Sequence, residues 1–93
     1  MFEVNEYFDA KVKSIAFTPP EGAATLGVMA PGSYTFGTDH VEHMKLVSGD
    51  MKVKLPGESE FRAIAIDEIF VVAANVKFDV EIGCETSYLC RYS

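Results

Sequence analysis

The stretch that decides the fold runs from residue 31 to residue 57 and reads PGSYTFGTDHVEHMKLVSGDMKVKLPG. Apolar and charged residues alternate over residues 51–55, which is typical of a strand with one buried face and one face in water. Tyr34 and Phe36 begin the same pattern earlier in the stretch. Turn-forming residues, Pro31-Gly32 and Pro56-Gly57, bound it at both ends. Short strands between close turns predict an all-β fold.

The regions on either side carry the same kind of pattern. Residues 76–82 alternate strictly, and residues 69–72 are apolar at every position. Over residues 12–17 the alternation slips at Ser14, which predicts a β-bulge. No segment shows the sustained spacing of an amphipathic helix. We therefore predict a single all-β domain, a sandwich or barrel, over residues 1–93.

Charge limits the class of partner. The 93 residues include 8 basic and 14 acidic side chains, for a net charge of −6. Nucleic-acid binding needs clustered Lys and Arg, so we expect no nucleic-acid partner. A small anion held by one or two basic side chains stays compatible with this composition.

The remaining bulk features concern compartment and assembly. Residues 1–6 lack the basic end and apolar run of a signal peptide, and no apolar run reaches the roughly 20 residues that span a bilayer. The spacing of Cys84 and Cys90 matches neither a zinc site nor a redox pair. We expect two reduced, packed thiols in a cytoplasmic protein without membrane association. A chain this short buries limited surface by itself, which favours a homodimer.

Two segments resemble the motifs of the cupin proteins. In the first cupin motif two histidines and a glutamate project into a double-stranded β-helix, or jelly-roll barrel, and hold a metal. Residues 31–55 resemble that motif, but Phe36 and Thr38 stand at the histidine positions and only Glu42 remains. Residues 67–78 resemble the second motif, with Phe78 near the last ligand position. Apolar rings offer no donor to a cation, so the resemblance implies a cupin-like barrel without the usual metal site.

A closer resemblance covers essentially the whole chain. The segments that show this resemblance occur in order along the chain: residues 5–8 (NEYF), 11–15 (KVKSI), 27–29 (GVM), 32–36 (GSYTF) and 86–92 (TSYLCRY). Together they resemble the short cupin-type pyrimidine/purine nucleoside phosphorylases. This implies a pentosyltransferase that cleaves many nucleosides with inorganic phosphate as co-substrate, releasing a free base and ribose 1-phosphate without metal or other cofactor. One departure, Ala73 where relatives commonly have proline, concerns a turn.

Phosphorolysis requires groups for phosphate and for ribose. A guanidinium offers a planar fork to two phosphate oxygens, so we assign phosphate to Arg91, with Ser87 on the same strand face. We assign the ribose to Glu42, whose carboxylate accepts hydroxyl hydrogen bonds and favours a developing positive charge at the anomeric carbon. The alternatives are an exposed, ion-paired arginine and a surface carboxylate.

The nucleoside itself requires an apolar wall. Tyr34 and Phe36 share a strand face with Thr38, and aromatic rings stack on any nucleobase. We assign these three residues and Tyr88 to the substrate pocket. Aromatic side chains at such positions also commonly pack in a protein core. Tyr88 and Tyr92 are expected on the strand face opposite Arg91.

Two other functions compete with phosphorolysis. The first is a non-catalytic cupin that binds a small ligand such as a nucleotide or sugar. The second is an altered metal cupin that uses His40, His43 and Glu42 as ligands. His43 would also suit a general acid, but strand alternation turns it away from Glu42.

Overall fold

The computed structural model describes residues 2–93. Their regular secondary structure consists of ten β-strands. The strands are β1 Glu3–Tyr7, β2 Val12–Phe17, β3 Ala24–Met29, β4 Gly32–Gly37, β5 Glu42–Ser48, β6 Met51–Lys54, β7 Arg62–Ile64, β8 Ile69–Val72, β9 Lys77–Ile82 and β10 Thr86–Tyr92. Within these residues no helix is long and apolar enough to cross a membrane.

The strands form two antiparallel sheets. One sheet has six strands in the order β1-β2-β3-β10-β5-β8, and the other has four in the order β4-β9-β6-β7. Their inner faces share one apolar core, to which the six-stranded sheet contributes Val12 and Leu46 and the four-stranded sheet contributes Val53 and Val80. This arrangement confirms the predicted all-β, cupin-like barrel.

The turn between β5 and β6 depends on a glycine. Gly49 has a φ of 109°, which side-chain-bearing residues rarely adopt. A Cβ at this position would also collide with Thr86. The turn lets β6 leave the six-stranded sheet and join β9 in the other one.

The predicted bulge at Ser14 is wrong. Strand β2 pairs without interruption with both β1 and β3. Ser14 is buried on the inner face while Ile15 is exposed, so the polar residue occupies the core side and the alternation never slips. The irregularity lies instead between β5 and β10, where Ser87 pairs with Ser48, Tyr88 pairs with Leu46, and Val47 has no pairing partner on β10.

One other expectation, that both thiols are packed, needs correction. Both thiols are free, but only Cys90 is buried; Cys84 is exposed in the turn before β10. The continuous apolar run of β8 is buried on one side only, because Phe70 and Val72 face the core whereas Ile69 and Val71 face outward.

Candidate active site

A cavity of about 350 Å³ opens between the two sheets, and its size falls in the range of small-molecule sites. Both sheets and the β1–β2 turn contribute to its wall. The lining residues are Tyr7, Phe8, Ser14, Thr25, Met29, Thr35, Phe36, Gly37, Glu42, Met44, Phe78, Tyr88, Cys90 and Tyr92.

The carboxyl group of Glu42 and the thiol of Cys90 form the polar centre of this cavity. Strand β5 presents Glu42 and β10 presents Cys90 on the same inner face, and the Cys90 thiol donates a hydrogen bond to Glu42 Oε1 at 3.6 Å. Burial raises the pKa of Glu42 above its usual range, and the Cys90 hydrogen bond opposes that shift. Burial, followed by the nearby carboxylate, raises the pKa of Cys90 to about 12. The thiol is therefore a neutral donor and a poor nucleophile.

Hydroxyl groups extend the polar part of the cavity. Tyr92 OH lies 3.1 Å from Thr25 Oγ1, and burial raises the pKa of Tyr92 to about 12. Burial also raises the pKa of Tyr88, and the nearby side chain of Ser14 opposes that shift. These groups remain protonated at neutral pH and can donate hydrogen bonds to a bound ligand.

Gly27 makes room for the Tyr88 ring. The register aligns Ser14, Gly27 and Tyr88 across β2, β3 and β10 on the inner face. A Cβ on Gly27 would lie 2.5 Å from the Tyr88 ring, too close for any real contact. The ring therefore lies directly over the β3 backbone.

Aromatic rings form the opposite wall. Phe36 and Phe78 are register partners on β4 and β9, with ring centroids 5.8 Å apart. Phe8 approaches from the β1–β2 turn and contacts Phe36 edge-on at 5.4 Å. Phe8 holds a left-handed backbone, with a φ of 54°, that directs this turn over the cavity. The cavity thus combines an apolar, aromatic wall with a polar one.

Three predicted site residues meet in the cavity: Glu42, Phe36 and Tyr88. Tyr34 is buried beside them, and its hydroxyl donates to the carbonyl of Ala30 at 2.7 Å. Thr38 is not in the wall. Its hydroxyl donates to the carbonyl of Ala73 at 2.7 Å and accepts from a neighbouring backbone N–H, so it fastens the turn that precedes β9.

The structure does not bring Ser87 and Arg91 to the cavity. Both residues are on the outer face of β10, because side chains alternate along a strand and Tyr88, Cys90 and Tyr92 fill the inner face. Arg91 Nη1 forms an ion pair with Glu21 Oε1 at 3.2 Å. Ser87 Oγ lies 2.6 Å from Ser48 Oγ.

The ligands suggested for a metal do not converge either. His43 faces outward from β5, with Nε2 3.1 Å from Ser93 Oγ, whereas Glu42 faces inward. His40 Nδ1 is 2.8 Å from Asp39 Oδ1 at the surface. Among residues 2–93, no three His, Cys, Asp or Glu side chains are grouped closely enough to hold a metal ion.

The cavity residues that sequence reasoning did not assign include Phe8, Thr25, Cys90 and Tyr92. Alternation along β10 puts Cys90 and Tyr92 on the same strand face as Tyr88, and this pattern could have identified both residues from the sequence. Phe8 and Thr25 had no such signal. They reach the cavity through a turn and a strand pairing that local pattern does not specify.

Comparison with known proteins now identifies the family. The sequence profile of the family described as pyrimidine/purine nucleoside phosphorylase matches residues 2–92. The chain belongs to this family. A relative with that name from Pseudoalteromonas atlantica is 54% identical over 92 residues, which are 99% of each chain. A relative with the same name from Pseudomonas aeruginosa is 52% identical over 99% of each chain.

Solved structures agree with the family fold. A protein of unknown function from Vibrio parahaemolyticus is 38% identical and superposes with a TM-score of 0.95 over 100% of this chain and 99% of its own. An RmlC-like cupin from Shewanella frigidimarina, 14% identical, superposes with a TM-score of 0.74 over 99% of this chain and 83% of its own. The second likeness concerns the fold alone and supports the cupin-like architecture.

Proposed function

We propose that this protein is a nucleoside phosphorylase with broad base specificity, acting on purine and pyrimidine nucleosides. The observation that carries the proposal is the cavity itself, in which one carboxyl group faces an aromatic wall within a chain of this family. In the reaction a phosphate oxygen forms a bond to the anomeric carbon while the bond from that carbon to the base breaks. The base leaves with the bonding electrons and gains a proton, and ribose 1-phosphate is released.

Glu42 is proposed to hold the ribose. Its carboxylate accepts hydrogen bonds from the sugar hydroxyls and stabilises positive charge that develops at the anomeric carbon. The Cys90 thiol supports this role because its hydrogen bond favours the ionised carboxylate against the effect of burial. Burial strengthens the electrostatic effect, since little water screens the charge.

The base is proposed to lie against the aromatic wall of Phe36, Phe78 and Phe8. Stacking on a ring depends on the π-face that every nucleobase has, and it does not read the edge of the base. An apolar wall of this kind therefore supports tolerance for both purines and pyrimidines.

Phosphate has two possible sets of ligands. The sequence-based hypothesis uses Arg91 and Ser87, but Arg91 would have to leave Glu21 and pass to the other side of the sheet. The hydroxyls of Tyr88, Tyr92 and Thr25 line the cavity and donate without such a movement. We favour the hydroxyl set. An increased KM for phosphate in Tyr88→Phe or Tyr92→Phe, with Arg91→Ala unchanged, supports it; the reverse result supports Arg91.

The decisive experiment incubates the purified protein with uridine or adenosine, with and without phosphate. We expect phosphate-dependent release of free base together with ribose 1-phosphate. A protein that binds nucleoside but releases no base under any phosphate concentration would overturn the proposal.

A non-catalytic binding protein is the second candidate. Within residues 2–93, the lining of the cavity includes no lysine or arginine, so the cavity suits a neutral ligand better than a free anion. Tight binding of intact nucleoside by calorimetry, without turnover, would favour this function.

Location and assembly complete the proposal. The free thiols of Cys84 and Cys90 support a reducing compartment, and we retain a cytoplasmic location. We also retain a homodimer, which the limited surface that so short a chain buries by itself favours.

A further inference from the structure

Ser14 is a polar residue at a core position that the proposed mechanism does not use. It lies on the inner face of β2 and is 4% exposed, in the same row of inward-facing positions as the fully buried Val12. Burial of a hydroxyl group is unfavourable unless the group forms hydrogen bonds, so such a side chain indicates a partner. Ser14 also lines the cavity, where that partner can be a ligand.

Tyr88 brings a second hydroxyl to the same place. Ser14, Gly27 and Tyr88 are register partners on three adjacent strands. Because Gly27 has no side chain, the Tyr88 ring crosses β3, and a Cβ on Gly27 would lie 2.6 Å from the Tyr88 hydroxyl oxygen. Burial raises the pKa of Tyr88, and the nearby Ser14 side chain opposes that shift. The two side chains therefore meet over Gly27, and we call them the Ser14–Tyr88 pair.

The Ser14–Tyr88 pair has more hydrogen-bond donors than the protein satisfies. Each hydroxyl carries one proton, and burial keeps the Tyr88 phenol protonated. A hydrogen bond between the two oxygens uses only one of the two protons. Among residues 2–93 neither hydroxyl is hydrogen-bonded to a third group. At least one donor therefore stays available to a ligand in the cavity.

The distance from Glu42 suits a co-substrate that must reach the ribose. Tyr88 and Cys90 are successive inward-facing residues of β10, roughly 7 Å apart along the strand. The Cys90 thiol in turn contacts Glu42. A ligand at the Ser14–Tyr88 pair thus lies near a sugar that Glu42 holds, without contacting the carboxylate itself.

The hydroxyls of Thr25 and Tyr92 are less suited to an anion. They lie 3.1 Å from each other, and Tyr92 is the register partner of Glu42. Burial raises the pKa of Tyr92 to about 12, and the charge of Glu42 adds to this effect. An anion bound there would meet the like charge of Glu42 at close range.

Phosphate is the reactant that matches the donors of the Ser14–Tyr88 pair. A hydrogen bond to an anionic oxygen is roughly twice as strong as one between neutral groups, so two hydroxyls can hold an anion. The cavity wall includes no lysine or arginine within the described part of the chain, residues 2–93. The base, by contrast, has the aromatic wall of the other sheet.

We propose that Ser14 is a phosphate-binding residue, which together with Tyr88 holds inorganic phosphate through neutral hydroxyl groups in the cavity. The inference rests on the proposed phosphorolysis and narrows its phosphate site from the wider set of hydroxyls to one pair. It also accounts for a serine at a position where the core otherwise takes apolar residues.

Steady-state kinetics with varied phosphate test the role of Ser14. We expect Ser14→Ala to raise the KM for phosphate about 10- to 100-fold, as when one hydrogen bond to a charged group is lost, and to change the KM for uridine little. Ser14→Thr keeps the hydroxyl and should retain most of the phosphate affinity. Ser33→Ala is the matched control, since it removes an exposed hydroxyl from the outer face of β4, and it should behave as wild type.

Titration of the wild-type protein with inorganic phosphate alone, followed by NMR, tests the same site without turnover or substitution. We expect the largest amide shifts at Ser14, Gly27 and Tyr88. An active wild type whose phosphate KM is unchanged in Ser14→Ala would overturn this inference alone, as would phosphate shifts confined to the surroundings of Arg91. Absence of base release would overturn the proposed phosphorolysis, and the NMR titration would then still decide whether Ser14 binds phosphate.

Discussion

The two faces of strand β10 serve different surroundings although their residues alternate in one short segment. The inner face presents Tyr88, Cys90 and Tyr92 to the cavity, where burial keeps their acidic groups protonated. The outer face presents Leu89 and Arg91 to the surface, where the guanidinium is paired with an acid. Neighbours in sequence thus lie on opposite sides of a sheet, and the chemistry of one face cannot be assumed for the other.

The largest expected effect concerns adjacent residues on the two faces of β5. Glu42→Gln removes the charge at the centre of the cavity, and we expect kcat/KM for phosphorolysis to fall about 10²–10³-fold, as when one electrostatic contact to a transition state is lost. His43→Gln alters the outer face next to it and should change the rate little. Equal activity of Glu42→Gln and wild type, measured by base release, would contradict the role of the inner face.

A second pair of substitutions compares Gly27, which lies against the Tyr88 ring, with Gly37 of the cavity wall. Gly27→Ala places a methyl group in the Tyr88 ring, and we expect a loss of about 1–3 kcal/mol in the free energy of unfolding. Gly37→Ala is the control, because its methyl group meets no atom within 4 Å and its backbone is not left-handed. Urea unfolding of both variants measures the difference. Similar losses for the two would mean that Tyr88 does not pack on Gly27.

The two cysteines compare buried and exposed thiols within one chain. Cys90 is 2% exposed and its pKa is raised to about 12, so only about 10⁻⁴ of it is thiolate at pH 8. We expect iodoacetamide to modify Cys84 at least about 100-fold faster than Cys90, as followed by mass spectrometry of the native protein. Rapid modification of both sites would show that the cavity opens to solvent more than its walls indicate.

The smallest expected effect is in the pH dependence of stability. Because burial raises the pKa of Glu42 above its ordinary value of 4.5, the folded protein retains this proton to a higher pH than the unfolded chain. The stabilising contribution is complete below 4.5 and is lost as pH rises through the pKa of the folded state. The stability of wild type relative to Glu42→Gln should therefore decrease as pH rises from about 4 to 7.

Chemical denaturation at several pH values measures this trend. Glu6→Gln is the control, since it removes a carboxylate from the outer face. A wild-type stability that increases relative to Glu42→Gln over the same range would contradict the raised pKa.

The alternation of apolar and charged residues, together with the turn-forming residues, predicted most of the fold. The alternation over residues 51–55 and 76–82 corresponds to β6 and β9, and residues 69–72 are β8. The error at Ser14 has a simple cause: a polar residue on the buried face reads as a change of phase. Such a residue is tolerated in the core where a polar partner, here Tyr88, faces it.

The candidate site was predicted less well. The resemblance pointed to Glu42 and Phe36, which the cavity contains, and to Arg91, which faces away from it. In the sequence Thr38 alternates in phase with Tyr34 and Phe36. Strand β4 ends at Gly37, however, and the Thr38 hydroxyl donates to the carbonyl of Ala73 instead of facing the cavity. The point at which a strand ends and the pairing of distant strands determine where such side chains lie, and the local spacing of residues predicts neither.

The sequence by itself determined the strand content, the alternation of each strand and the family, because side-chain period and motif order are local properties of the chain. The tertiary structure decided which alternate face becomes the cavity and which becomes the outer surface. The pairing of β10 with β3 and β5 brings Glu42 of β5 next to Cys90 and Tyr92 of β10 on the inner face of the six-stranded sheet. The physical reason is that a strand gives each residue one of two sides, and only packing of the second sheet determines which side is enclosed.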